Sequence, residues 1–490
     1  MIYDVLIIGA GITGTMTARC LAAYDCSVAV AEAGPDVAWE ATRANSAIVH
    51  AGYDCVPGTM KAKMNVRGCA MMEEICRTLG VSYKKCGSHV VAFGEEDEAT
   101  LRDLYERGIQ NGVPGLRILT RDEVRQMEPN ISEAATASLW APGAGIVCPY
   151  GLAIAAAENA ATNGVDFYFR FTVSSARETD GYYTVSNGTD TICARRIVNA
   201  AGVSSADVAK MLGDEGLDVQ ITPRRGEYIL MDKKCGGTVN ATLFAAPSAK
   251  GKGVLVARTV HGNLLIGPNA NEVERGDTSV TAAGLAEITA GAKRLVPSVN
   301  PRQSITNFAG IRATPSTHDF MLFASEEKKG IIHAIGVESP GLASSPAVAE
   351  YIVQLLSEDG LILRNRENYI PTRRAEGNPK LFAEMTDEER AAAIAADPAY
   401  GRIICRCETV TEGDLLSAMH SPLPARDIDM LKRRTRAGMG RCQGGFCSPR
   451  AAALLAADQG TTLDHITKSG GGSWLVRKRE DIVREVEDHA

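Results

Sequence analysis

Apolar positions near the start of the chain fall in short, nearly continuous runs. The first, residues 3–8, ends at Gly9-Ala10-Gly11-Ile12-Thr13-Gly14. A helical pattern follows from Thr15 to about Tyr24, and a second apolar run, 27–31, closes on Glu32. Such runs, bounded by glycine, predict strands buried on both faces, here joined by a helix. Further helices are expected over 58–79, 95–111 and 151–163, and strands over 89–93, 165–177, 182–185 and 196–200. From Gln220 to about Arg302 the pattern changes to short strands with turns (225–230, 253–260, 263–267), which reads as an antiparallel sheet. A buried run over 330–335 then enters a Gly/Ser loop and a helix to Leu356, a second strand–loop–helix unit. Residues 363–398 carry Arg, Asn, Pro and Glu clusters around one charged helix, 387–396, and read as a linker.

The first unit carries chemistry. Gly9 permits a tight turn, Gly11 lets backbone amides approach a pyrophosphate, and Gly14 lets the helix lie close on the sheet. With Ile12 they open a helix whose N-terminus favours phosphate. Glu32, about twenty residues on, can accept from ribose hydroxyls. The small and hydroxylated stretch 41–52, with Thr42, Arg43, Asn45 and Ser46, suits a loop lying against a cofactor. The strand that ends in Asn199-Ala200-Ala201-Gly202 could return to the same sheet.

At 490 residues the chain should form two or three domains. A net charge of −7 argues against nucleic acid as a partner. No apolar run approaches a membrane span and no signal peptide is evident, so a cytoplasmic protein is expected. Nine of the thirteen cysteines are scattered, as in a reduced protein with buried thiols.

The other four differ. Cys405-Arg406-Cys407 and, after 34 residues, Cys442-Gln443-Gly444-Gly445-Phe446-Cys447 form two close pairs. Four thiolates suit an iron–sulfur cluster or a zinc ion, and a redox disulfide pair is a third possibility. Glycines 438, 440, 444 and 445 leave amides free for cluster sulfides. The basic run 432–441 suits an anionic centre, or is simply a solvated face.

The stretches 45–53, Pro57-Gly58, Lys61-Ala62-Lys63 and Arg225-Gly226-Glu227-Tyr228 resemble FAD-dependent oxidoreductases of the glycine-oxidase-like superfamily, L-2-hydroxyglutarate dehydrogenases in particular. The Cys405–Glu408 and Arg433–Gly444 segments resemble the bacterioferritin-associated-ferredoxin-like [2Fe-2S] domain that also ends the large subunit of anaerobic glycerol-3-phosphate dehydrogenases. Such ferredoxins often close with C-x2-C where this chain has C-x4-C. The resemblance implies an α/β fold: a Rossmann-like FAD-binding domain (1–85, 143–222, 303–362), an inserted α+β antiparallel-sheet substrate domain (86–142, 223–302), a linker (363–400) and a small C-terminal iron–sulfur domain (401–490). It also implies the cofactors, FAD and a [2Fe-2S] cluster. Gly9, Gly11, Ile12, Gly14 and Glu32 would hold the ADP half of FAD. Thr42, Arg43, Asn45 and Ser46 would lie beneath the phosphates and ring, with Val173 and Gly202 nearby. Gly310, Arg312, Gly341 and Leu342 would surround the flavin's pyrimidine edge. Cys405, Cys407, Cys442 and Cys447 would hold the cluster.

The expected activity is a dehydrogenase for a small anionic secondary alcohol. Glycerol 3-phosphate leads because of the cluster domain, and L-2-hydroxyglutarate follows; an amine or imino-acid dehydrogenase and a non-catalytic electron-transfer subunit are alternatives. His50, or else His261, is the candidate base, being titratable near neutral pH, and a structural role is the alternative for His50. Arg312, Arg225 and Tyr228 are candidates to bind the substrate anion, since arginine offers a bidentate fork. No second dinucleotide motif is present. Electrons are therefore expected to leave to a partner redox subunit, another flavoprotein or a quinone- or NAD-linked acceptor. Such a partner implies a hetero- or homo-oligomer and could hold the protein at a membrane surface.

Overall fold

Strand Ile2–Ile8 lies between Val28–Glu32 and Thr191–Asn199, parallel to both. Residues 5–8 and 28–31 are unbroken apolar runs, and burial on both faces is why they need no polar alternation; Thr191–Asn199 alternates buried and more open positions before its buried end at residues 197–199. Ile331–Ile335 joins parallel to Thr191–Asn199, and Asp166–Phe169 parallel to Val28–Glu32. Helix Ile12–Ala22 packs between helices Pro149–Thr162 and Gly341–Glu358 over a core of Met16, Met72, Leu79, Leu152 and Ala349. The computed structural model describes residues 1–247 and 253–478. The remainder of the expected substrate domain (248–252) and C-terminal domain (479–490) lies outside the described residues.

The stretch 165–177, expected as one strand, is two. Arg170 takes a φ of +58°, and the amides of Arg170 and Phe171 bond to Gly34 and Glu32 carbonyls instead of continuing a ladder. Ser175–Thr179 then pairs antiparallel with Tyr182–Ser186. A left-handed arginine leaves no trace in hydrophobic periodicity.

A second, nine-stranded sheet is built mainly from antiparallel pairs. Ser88–Ala92, Ala137–Ala141 and Arg117–Thr120 form one side. Thr242–Ala245, Leu255–Arg258, Leu264–Gly267, Ile221–Met231 and Asn271–Glu272 form the other, joined through the parallel pair Thr242–Ala245 and Ser88–Ala92. Strand Ser304–Pro315, grouped by sequence with the nucleotide-binding part, runs in this sheet. It pairs along the whole of Ile221–Met231, from Ile221 opposite Pro315 to Met231 opposite Ser304. Helix Ala282–Leu295, which the strand-and-turn reading of 220–302 missed, covers one face through Ile288, Ala292 and Leu295, and Thr281 caps it by accepting from the Gly284 amide.

By contacts the chain divides into Met1–Ala375, which holds both sheets, and Glu376–Ala490. The expected linker is split between them. Its first part is tied to the larger unit: Arg366 donates to the carbonyls of Ala22 and Tyr24, Asn159 to those of Ile370 and Thr372, and Arg373 pairs at 2.8 Å with buried Glu158. Its second part belongs to the smaller unit, where the Phe382 amide donates to Asp414. There the strand pair Ile403–Cys405 and Val410–Thr411 precedes helices Glu412–Met419, Ile428–Thr435 and Ser448–Asp458, packed on Leu415, Met419, Leu431 and Leu455. Among the described residues no helix is long and apolar enough to cross a membrane.

Candidate active site and cofactor sites

The glycines of the first turn are fixed by close approach. A Cβ on Gly14 would lie 1.9 Å from the Gly9 carbonyl, and one on Gly9, whose φ is +103°, 2.5 Å from that of Ala200. The Ile12 amide donates to buried Thr42 Oγ1 at 2.9 Å, leaving those of Thr13 and Gly14 without an intrahelical acceptor. Glu32 accepts at 2.7 Å from the amides of Ala10 and Gly34, one on each carboxylate oxygen. It thereby fixes the loop, and each oxygen keeps a lone pair for a ribose hydroxyl. Burial pushes its carboxyl upward, against those two bonds. Gly202, at φ +56°, has open space on its Cβ side just past the strand end that meets Gly9. Open space, free helix amides and a carboxylate at the strand end together fit the ADP half of FAD.

Loop 41–46 carries this cradle to the second sheet. Asn45 locks the loop, donating to the carbonyls of Ala41 and Thr42 and accepting from the Ala47 amide. Gly310 packs directly on it, since a Cβ there would lie 1.9 Å from the Ala44 carbonyl oxygen. On the same face of the paired strands, Tyr228 is fully buried and its hydroxyl accepts from Ser46 and from Arg312. Burial raises the phenol's pKa, and those two donors oppose the rise. Arg312 is half-buried and donates from Nη2 to the Asn269 carbonyl at 3.0 Å. Gly226 leaves room for it, because a Cβ there would meet Nη2 at 2.6 Å. Among the described residues no carboxylate pairs with Arg312.

His50 is buried, with its ring 4.6 Å from that of Tyr53 and 5.9 Å from that of Phe244. The Gly52 amide donates to Nδ1 at 3.3 Å, which puts the neutral ring's proton on Nε2. Near the start of helix Gly341–Glu358, Glu338 pairs with Lys61 at 3.1 Å and accepts from Thr314 at 2.8 Å. Leu342 packs into the core with Ile12 and Met16.

Other expected residues do not join this group. Arg225 lies on the opposite face from Tyr228, donating to Asp277 at 2.6 Å and to Ser279 at 2.8 Å. His261 occupies the turn between Leu255–Arg258 and Leu264–Gly267, roughly 20 Å along the hairpin from Gly267, which abuts Tyr228. Val173 packs with Tyr3, Leu6 and Phe171 under the first sheet. Arg43 is exposed, its guanidinium 4.2 Å from the centroid of the Trp39 ring. Sequence reasoning missed Ala44, which meets Gly310 through its backbone carbonyl, and Asn269, which meets Arg312 through its own; a backbone contact leaves no mark on residue type. It also missed Glu227, which lies inside the Arg225-Gly226-Glu227-Tyr228 segment.

In the smaller unit the four cysteines pair two and two. Cys407 and Cys442 stand 3.8 Å apart at sulfur, and Cys405 is hydrogen-bonded to Cys447. The Cys447 bond holds Cys405 below the ordinary thiol value, helped by the amides of Gly438, Glu408 and Cys407, while burial opposes it. Burial opposes ionisation of Cys442, yet the amides of Phe446 and Gly444 bring it below the ordinary thiol value. Among the described residues no three candidate ligands are gathered tightly enough to hold a metal ion as they stand. The donor set of four thiols with amides aimed at their sulfurs still fits a thiolate-bound cluster.

A nucleotide cradle on a parallel sheet, facing a second sheet that presents an unpaired arginine, is the layout of a nucleotide-dependent oxidoreductase. The family of FAD dependent oxidoreductases matches residues 4–355, and the BFD-like [2Fe-2S] binding domain matches residues 403–457. A glycerol 3-phosphate dehydrogenase of Caloramator mitchellensis is 44% identical over 97% of this chain and 98% of its own. A glycerol 3-phosphate oxidase of Mycoplasma genitalium is 32% identical over 75% of this chain and 97% of its own. The solved L-alpha-glycerophosphate oxidase of Mycoplasma pneumoniae, with FAD bound, superposes at a TM-score of 0.72 and 29% identity, covering 76% of this chain and 98% of that one. The chain belongs to the FAD-dependent oxidoreductase family. Its fold is a Rossmann-like FAD-binding domain with an inserted sheet-rich domain and a small separate C-terminal domain.

Proposed function

We propose that the protein oxidises sn-glycerol 3-phosphate to dihydroxyacetone phosphate and passes the electrons through a [2Fe-2S] cluster to a separate redox partner. Arg312 carries the reading: a half-buried guanidinium with no carboxylate partner among the described residues, on the sheet face that meets loop 41–46. Such a charge is costly unless an anion completes the site. Two relatives named for glycerol 3-phosphate, at 44% and 32% identity, favour a phosphate over a carboxylate.

When bound, FAD supplies a two-electron acceptor and the cluster a one-electron carrier. Arg312 binds the phosphate, steadied by the Tyr228 hydroxyl and the Asn269 carbonyl. His50 takes the proton of the secondary hydroxyl at Nε2. It does so in the tautomer with hydrogen on Nδ1, which gives up the 3.3 Å contact from Gly52. Tyr53 and Phe244 keep water from the ring. Cys405, Cys407, Cys442 and Cys447 would hold the cluster.

The test is dye reduction across a panel of glycerol 3-phosphate, L-2-hydroxyglutarate, sarcosine and proline, with Arg312→Ala alongside. Glycerol 3-phosphate is expected to lead, and Arg312→Ala to raise its apparent KM at least tenfold, roughly the worth of one charged hydrogen bond. Preference for a 2-hydroxy acid or an amine would overturn the substrate. Silence across the panel, with flavin reduction by a partner's NADH, would leave an electron-transfer subunit.

A further inference from the structure

Arg312 is held by a residue on the other side of its own sheet. Along Ile221–Met231, residues 224, 226 and 228 face loop 41–46, and residues 225, 227 and 229 face helix Ala282–Leu295. Glu227 therefore points away from the site, and it is fully buried. One carboxylate oxygen accepts from the backbone and hydroxyl of Thr281, the other from Asn269 Nδ2 at 2.7 Å. Asn269 returns the contact, its Oδ1 accepting from the Glu227 amide at 2.9 Å. A second, longer bond runs from Asn269 Nδ2 to Glu287 at 3.3 Å. Asn269 lies just past the Leu264–Gly267 strand, at the edge beside Gly226. Its side chain is clamped on the far face, and its carbonyl receives Arg312 Nη2 on the near face.

We propose that Glu227 is a positioning residue: through Asn269 it sets the angle and depth of the Arg312 guanidinium, and thereby the affinity for the substrate's phosphate. Glu227 fixes both ends of the Asn269 side chain, its carboxylate accepting from Nδ2 and its backbone amide donating to Oδ1, so the Asn269 carbonyl cannot turn away from Arg312. The carboxylate and guanidinium lie at opposite ends of one hydrogen-bonded line, which also orients the intervening amide dipole to favour the positive charge. Gly226 gives that line room to cross the strand, since a Cβ there would strike Arg312 Nη2, Pro268 and the Asn269 carbonyl together. The inference rests on Arg312 being the anion-binding group.

The experiment is a double-mutant cycle on the FAD-loaded protein, reading the dissociation constant of inorganic phosphate from the perturbed flavin absorbance, with KM and kcat for glycerol 3-phosphate and the melting temperature alongside. Glu227→Gln keeps the shape but turns one donor against a donor. Asn269→Ala frees the carbonyl and leaves Glu227 in place. Each is expected to weaken phosphate binding and raise KM about tenfold with kcat nearly unchanged, and to do so only while Arg312 is present. In an Arg312→Lys background the same changes should have little further effect. Equal weakening in both backgrounds, or well-folded Glu227→Gln and Asn269→Ala proteins that bind phosphate as the wild type does, would overturn the proposal. If Arg312→Ala itself leaves phosphate affinity unchanged, the anion-site reading fails instead.

Discussion

Arg312 and Gly226 behave as one unit, and this makes a small substitution informative. Gly226→Ala places a methyl 2.6 Å from the guanidinium nitrogen, the far end of a flexible side chain, and 2.9 Å from Pro268 Cβ. The arginine yields more easily than the backbone, so we expect KM for glycerol 3-phosphate to rise about tenfold with a modest loss of stability; steady-state kinetics and thermal melting measure the two. At His50 the prediction concerns proton transfer. Both His50→Ala and His50→Gln should slow flavin reduction at saturating substrate by roughly a hundredfold. A His50→Gln enzyme near the wild-type rate would instead mean that Nε2–H orients the substrate and another group takes the proton. One misplaced residue was legible in advance: Arg225 and Tyr228 are three apart, and on a strand an odd spacing points side chains to opposite faces. Asn269 was not legible, because it acts through a carbonyl in an irregular segment.

Among the elements, the first strand–helix–strand unit could be read directly, since burial on both faces writes itself as unbroken apolar runs. The Ser304–Pro315 strand could not, because its partner is far away in sequence and only pairing reveals which sheet it joins. Gly310 is where that strand touches loop 41–46, and Gly310→Ala puts a methyl 1.9 Å from the Ala44 carbonyl, with backbone on both sides. The loop must move, so the purified variant should contain markedly less FAD than the wild type; full flavin content would contradict the contact. The junction strand Ser88–Ala92 carries a pH signature. His89 is buried against Trp140 and bonded to Ser138, and burial pushes its imidazole down to about 4. Between that value and an unfolded value of about 6.5 the unfolded chain binds more protons. Stability is therefore lost as pH falls through this window, by about 3 kcal/mol in all. Unfolding at pH 7 and pH 4.5 should show the loss, and His89→Gln should flatten it.

The molecule as a whole is proposed to divide its work, with oxidation in Met1–Ala375 and electron exit through Glu376–Ala490. Cys442→Ser should remove iron and acid-labile sulfide but leave FAD, so substrate still reduces the flavin while transfer to the partner stalls. Zinc without iron in anaerobically prepared wild-type protein would end the cluster assignment. The substrate is tested by adding glycerol 3-phosphate to the purified FAD-loaded protein without oxygen or partner and following the flavin's visible absorbance. Complete bleaching within the turnover time is expected, with dihydroxyacetone phosphate formed in proportion. A flavin that stays oxidised with glycerol 3-phosphate, yet bleaches with L-2-hydroxyglutarate or an amine, would contradict it.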